Sequence, residues 1–256
     1  MARYRAVKFD EHLTLVEHLD ELRTRIIVSI AALVVASSLC FWQNDALLDI
    51  ANKPLPNNLV PITFGVTEPF MTTVTLSVYG GILLSLPVIL YQAYAYLLPA
   101  FSARERRVVL PFLLMVPFLF VAGVVFAYFV VIPAATKFLL NFNAAEFNIE
   151  VRAREYYSFF ALTCIAVGIL FQIPIGVLAV TRLGITTPER LARNRRYAVL
   201  IIAVVAMLLP GTDPVTMLIS MLPLIVLFEA SLLLARIFGR ARETDPGAEM
   251  AVSEPS

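Results

Sequence analysis

Four stretches without a single charged side chain, residues 26–44, 69–103, 108–136 and 156–181, constrain this chain more than anything else in it. An α-helix rises about 1.5 Å per residue, so roughly 20 apolar residues cross a hydrocarbon core about 30 Å thick. Backbone amides in lipid must find partners within their own segment, and runs of this length therefore fold as spanning helices. The rest of the composition agrees. Hydrophobic residues make up 59% of the 256 and charged residues only 15%, against about 25% charged in an ordinary soluble domain. A net charge of +1 gives no reason to expect nucleic acid as a partner. Both cysteines, Cys40 and Cys164, sit inside apolar runs, and both histidines, His12 and His18, precede the first run. Too few ligands exist for a His/Cys metal site, and the cysteines read as small buried hydrophobes. No cofactor is expected.

The chain can then be read in order. Residues 1–25 carry Arg3, Arg5, Lys8, Arg23 and Arg25, while Leu15, Leu19, Leu22 and Ile26 recur at helical spacing. That pattern predicts a cytosolic amphipathic segment over residues 1–22, lying in the interface before the chain enters the membrane. Its length and its acids argue against a cleaved leader. The first span is expected at 23–43, and residues 44–69, with Pro54, Pro56 and Pro61, are expected to form a loop. Thr67 reads as the N-cap of the second span, with Glu68 complementing the helix dipole. That span, 70–103, is open to kinking at Pro87 and has hydroxyls at Thr72, Thr73, Thr75 and Ser77, which suit a face turned toward protein or water. The third span, 108–136, contains Pro111 and Pro117. The fourth, 156–181, contains Gln172 and Pro174. Thr187-Pro188-Glu189 reads as an N-cap, a proline at the first helical position and an acid.

Residues 197–212 and 214–228 are broken by Pro210-Gly211-Thr212-Asp213-Pro214. At about 15 residues each they are short for a full crossing and are expected to form a hairpin of short fifth and sixth spans that thins the bilayer. The expected fold is an all-α membrane protein of six transmembrane helices over residues 23–238, with 239–256 a disordered cytosolic tail. Six spans put 16 of the 20 Lys and Arg on one side, so both termini are expected in the cytosol.

Candidate site residues are the acids of the basic side and the polar groups at membrane depth. Glu21 lies four residues before Arg25. It is either half of an i,i+4 ion pair or part of a surface for a cationic ligand. Glu105 stands three residues after Ser102, the spacing of a capping box. Carboxylates accept a guanidinium in bidentate fashion, so two such acids would suit a ligand with adjacent arginines. Gln172 and Glu229 lie within apolar runs, where polar groups mark functional positions, although Arg236 is close enough to pair with Glu229. Asp213 reads as a turn residue. Tyr91, Tyr94 and Tyr96 line a groove or belong to the aromatic belt.

Several stretches together resemble the TatC family, the multi-spanning receptor of the twin-arginine protein translocase: HLDELRTR at 18–25, NKPL at 52–55, TEPF at 67–70, LSLPVILYQAYAYLLPAFSARERR at 84–107, FAYFVVIP at 126–133, FQIPIGV at 171–177, LGITTPERLARNRRY at 183–197 and LLPGTDPV at 208–215. The resemblance implies a concave bundle that binds Arg-Arg signal peptides of folded precursors on the cytosolic face of a bacterial inner membrane. It implies single-span TatB-like and TatA-like partners, further copies of the chain in the receptor complex, and transport driven by the proton-motive force. It assigns signal-peptide binding to Glu21, Glu105, Arg23 and Tyr96, and importance to Pro54 and Asp213. Many relatives have glutamate where this chain has Gln172, which removes ionisation from that position. The rival function is a small-solute transporter with a midplane site near Gln172, but the halves of the chain show no repeat of the kind such folds carry. An intramembrane enzyme lacks any nucleophile–base or metal constellation.

Overall fold

A computed structural model of the chain describes residues 15–56, 59–97, 103–146, 149–182, 185–208 and 214–238, leaving out the side chains of 15–17, 97, 103–114, 182 and 237–238. Ten α-helices are found among the described residues: α1 (Leu15–Trp42), α2 (Asn44–Asn52), α3 (Glu68–Leu97), α4 (Ala103–Phe126), α5 (Ile132–Asn141), α6 (Ala153–Leu170), α7 (Ile173–Arg182), α8 (Pro188–Arg193), α9 (Arg195–Met207) and α10 (Pro214–Phe238). Among the described residues, five stretches are long and apolar enough to cross a membrane: His18–Trp42, Glu68–Tyr96, Met115–Asn141, Ala153–Thr181 and Pro214–Arg236.

Prolines set the interruptions. Pro133 brings no N–H to the carbonyl of Phe129, and the chain passes through a π-helical turn, Ala127–Val131, between α4 and α5. Pro174 likewise leaves the carbonyl of Leu170 without its helical donor. The fourth span turns at Phe171–Gln172 and restarts as α7. Pro87 and Pro223 sit inside helices that continue through them. Thr187 caps α8 as its sequence predicts, its hydroxyl accepting from the Arg190 amide at 3.2 Å.

Two expectations are corrected. Residues 44–52 fold as a helix rather than a loop, because Leu47, Leu48 and Ala51 lie on one face and pack into the core around α6. Of the residues before the expected first span, those from Leu15 onward form the opening turns of α1. The last helix is not short: α10 runs 25 residues, because Glu229 finds a partner and the apolar pattern resumes after it. Of the two helices in the expected hairpin, α9, at 13 residues, is the one too short to cross.

Helix α6 lies at the centre. Phe160, Ala161, Cys164 and Val167 are buried against residues of α2, α3 and the π turn, and Gly168 lets Phe120 of α4 approach so closely that a Cβ would stand 2.5 Å from its ring. Helix α10 packs on α7 and α9 around Ile202, Leu224, Phe228 and Leu232. Helix α1 rests on α3, where Gly81 admits the backbone of Ser37. Its other faces expose Ile26, Ile30, Val34, Val35 and Trp42, as suits a helix bordered by lipid.

Candidate functional site

Helical spacing puts His18, Glu21 and Arg25 on one face of α1, and Gln92 and Tyr96 on one face of α3. The two faces meet at the end of the bundle where α1 begins. The Nε of Arg25 donates to Oε1 of Glu21 at 2.9 Å, and its Nη2 donates to the same oxygen. Its Nη1 donates to Oε1 of Gln92 at 2.9 Å, tying α1 to α3 across 67 positions of sequence. The imidazole of His18 stacks on Tyr96 with ring centres 4.3 Å apart and planes 11° from parallel. Its Nδ1 lies 3.9 Å from Oε2 of Glu21, too far for a hydrogen bond. One oxygen of the carboxylate is thus held by Arg25 while the other has no close donor among the described residues.

The i,i+4 pair of Glu21 with Arg25 therefore forms, and Tyr96 joins the same cluster. Arg23 is exposed, beside the cluster. Glu105 belongs to the first turn of α4, and its side chain lies outside the described residues, as does the whole of Asp213. The three tyrosines separate: Tyr91 is exposed, Tyr94 packs beside Val116 and Ile175, and Tyr96 stacks on His18.

The polar groups at membrane depth do not share a site. Gln172, 5% exposed, donates from Nε2 to the carbonyl of Val116 at 3.2 Å, and its buried Oε1 has no hydrogen-bond partner among the described residues. Glu229 pairs with Arg195 at 2.9 Å rather than with Arg236. That bridge closes the base of the α9–α10 hairpin at its half-exposed end.

The opposite end of the bundle is organised by hydroxyls that the sequence gives no local reason to single out. A helix leaves its last four carbonyls without intrahelical donors, and each of the last four in α2 finds one. The carbonyl of Asp49 accepts from the Lys53 amide, that of Ile50 from Tyr128 Oη at 3.1 Å, that of Ala51 from Tyr156 Oη at 2.6 Å, and that of Asn52 from the Leu55 amide. Tyr157 Oη donates to the side chain of Asn52 at 2.9 Å. Pro54 follows directly, its carbonyl 3.5 Å from the hydroxyl of Thr136. Its place is structural in this sense: it turns the chain out of α2 while α5 and α6 hold the turn.

A second tie at this end leaves no local pattern in the sequence either. Glu68 does more than complement a dipole. Its Oε2 accepts from the Phe64 amide at 2.9 Å and its Oε1 from Arg152 Nε at 2.8 Å. Arg152 lies over the Phe64 ring, and the Glu68 carboxylate and then Glu155 hold its guanidinium above the ordinary arginine range. Ile62 and Arg152 form a parallel bridge in the same place. Of the hydroxyls at the start of α3, Thr72 and Ser77 turn into the protein.

Kinked helices of spanning length, one short helix hairpinned against a long one, and polar clusters gathered at the two ends define a multi-spanning helical membrane protein. A family model described as "Sec-independent protein translocase protein (TatC)" matches residues 17–223. The TatC protein of Carboxydothermus hydrogenoformans is 35% identical over 229 residues, covering 89% of this chain and 94% of that one. That of Escherichia coli K12 is 35% identical over 236 residues, covering 90% and 92%. Two crystal structures of a twin-arginine translocase receptor, TatC, one of them in the detergent DDM, superpose with a TM-score of 0.74 at 34% identity. They cover 85% and 88% of this chain and 99% and 100% of theirs. The chain belongs to the TatC family of Sec-independent protein translocases, and protein translocation is its function.

Proposed function

We propose that the end of the bundle carrying Glu21 faces the cytosol and receives the Arg-Arg motif of signal peptides on folded precursors. The observation that carries this reading is the carboxylate of Glu21, partly buried between α1 and α3, with one oxygen free of any close donor among the described residues. A guanidinium meets such an oxygen with a charge-assisted hydrogen bond, and the adjoining Tyr96–His18 stack gives it an aromatic wall. Glu105, in the first turn of α4, supplies a second acid on the same side, and Arg23 flanks the site. The chain is read as a receptor without catalytic turnover, in a bacterial cytoplasmic membrane. Residues 1–22 form its cytosolic entry segment, 23–238 its membrane domain and 239–256 its cytosolic tail.

Single-span TatB-like and TatA-like subunits and further copies of this chain complete the translocase, and the proton-motive force drives transport. The buried Oε1 of Gln172, without a hydrogen-bond partner among the described residues, is suited to a donor on a partner helix, and Pro54, Asp213 and Glu229 are further positions that partners would meet. Crosslinking of an Arg-Arg signal peptide tests the proposal. The signal should be lost in the Glu21→Ala/Glu105→Ala double variant, and undiminished crosslinking there would overturn the assignment of the site.

A further inference from the structure

Glu21 is only half vacant: its Oε2 has no close donor among the described residues, but a ligand guanidinium that forks onto the carboxylate needs both oxygens. Its Oε1 already holds a guanidinium, that of Arg25, by two of its nitrogens, and the third nitrogen of that guanidinium rests on Gln92. Both side chains of the pair are about three-quarters buried, with 26% of Glu21 and 23% of Arg25 exposed. Solvent therefore screens this pair less than an ordinary surface pair.

We propose that Arg25 is an internal guanidinium that a ligand arginine displaces from Glu21, and that this exchange sets the preference for arginine over lysine. The proposal rests on the reading of Glu21 as a signal-peptide acid. Its logic is that of a competition. An incoming guanidinium replaces one forked, charge-assisted contact by another of the same kind, so the exchange is nearly even in free energy. An ammonium is a compact point charge without the fork. It would have to remove Arg25 from Glu21 and give back less, so lysine is rejected by what it fails to restore. Gln92 makes the exchange reversible. It is neutral, so it accepts from Arg25 without competing with Glu21 as a charge, and it sits on α3, where it can keep Arg25 at hand while Glu21 is occupied. The ligand's apparent affinity is lowered by the fraction of protein in which Arg25 holds Glu21.

The test uses the full chain in detergent and two fluorescent signal peptides, identical except for Arg-Arg or Lys-Lys. Binding is followed by anisotropy. Arg25→Gln should bind the Arg-Arg peptide more tightly, roughly three- to tenfold, and should bind the Lys-Lys peptide more tightly by a larger factor, so that the ratio of the two affinities falls. Arg25→Lys retains the positive charge at the membrane boundary and serves where Arg25→Gln does not insert. It should also lower the ratio, with a smaller gain in affinity. Weaker binding or an unchanged ratio in both variants would overturn the gate. Glu21→Gln separates the two claims. If it abolishes binding while the Arg25 variants gain nothing, the site stands and the gate falls. If Glu21→Gln binds as well as the unaltered protein, the site assignment falls as well.

Discussion

Tyr156→Phe removes a single oxygen atom from the seam between α6 and α2. Its bond to the Ala51 carbonyl is 2.6 Å long, and Ala51 is 0% exposed. Water cannot take the place of the lost donor, so the substitution leaves a buried acceptor unpaired. That costs about 1–3 kcal/mol. Tyr128→Phe removes the neighbouring donor, to Ile50, but that bond is solvent-exposed. Water replaces it, and the expected loss stays within about 0.5 kcal/mol. Equilibrium unfolding in mixed micelles measures both. Hydrogen exchange resolves where the loss occurs, and amides 44–55 should exchange faster in Tyr156→Phe while those of α1 remain as they were. Equal costs for the two variants, or faster exchange spread evenly over the bundle, would refute the argument that the hydroxyls act by completing the end of α2.

Gly81→Ala places a Cβ 2.1 Å from Ser37 Oγ and 2.6 Å from the Ser37 backbone. It should destabilise the α1–α3 contact by about 1–3 kcal/mol, whereas Gly176→Ala, with nothing within 4 Å, should be neutral or stabilising by about 0.5–1 kcal/mol. Thermal unfolding in detergent compares the two directly. A double-mutant cycle between Arg195 and Glu229 should give a coupling below about 1 kcal/mol, as for other half-exposed pairs, and the cycle between Arg236 and Glu229 should give none. Arg152→Met, which keeps bulk over Phe64 but removes the bond to Glu68, should speed proteolysis within residues 59–67. Unchanged cleavage would show that the Ile62–Arg152 bridge holds that segment unaided.

Periodicity and charge made the spanning helices readable because lipid imposes one solution on any long apolar run. The pair Glu21–Arg25 was readable for a similar reason, since helical geometry alone brings i and i+4 together. What could not be read joins distant positions. Gln92 meets Arg25 across 67 residues, Arg152 meets Glu68 across 84, and Tyr156 meets Ala51 across 105. None of these leaves a local pattern. The length of the last helix was hidden for the same reason. Glu229 interrupts the uncharged run that follows Pro214, and its partner, Arg195, belongs to a different helix. The nine residues of α2 are too few for a periodicity to stand out beside three prolines. Helix α2 exists because its apolar face and its end carbonyls are both satisfied by α6 and its neighbours.

The central claim, that the α1–α3 end holds the arginine pair of a signal peptide, is tested most directly by contact. A photoreactive side chain at Leu19, 62% exposed beside Glu21, and another at Val60, 78% exposed at the opposite end, report on the two faces. A precursor should crosslink at position 19 through residues next to its arginine pair, and not at position 60. Crosslinks through the arginine pair at position 60 with none at position 19 would contradict it.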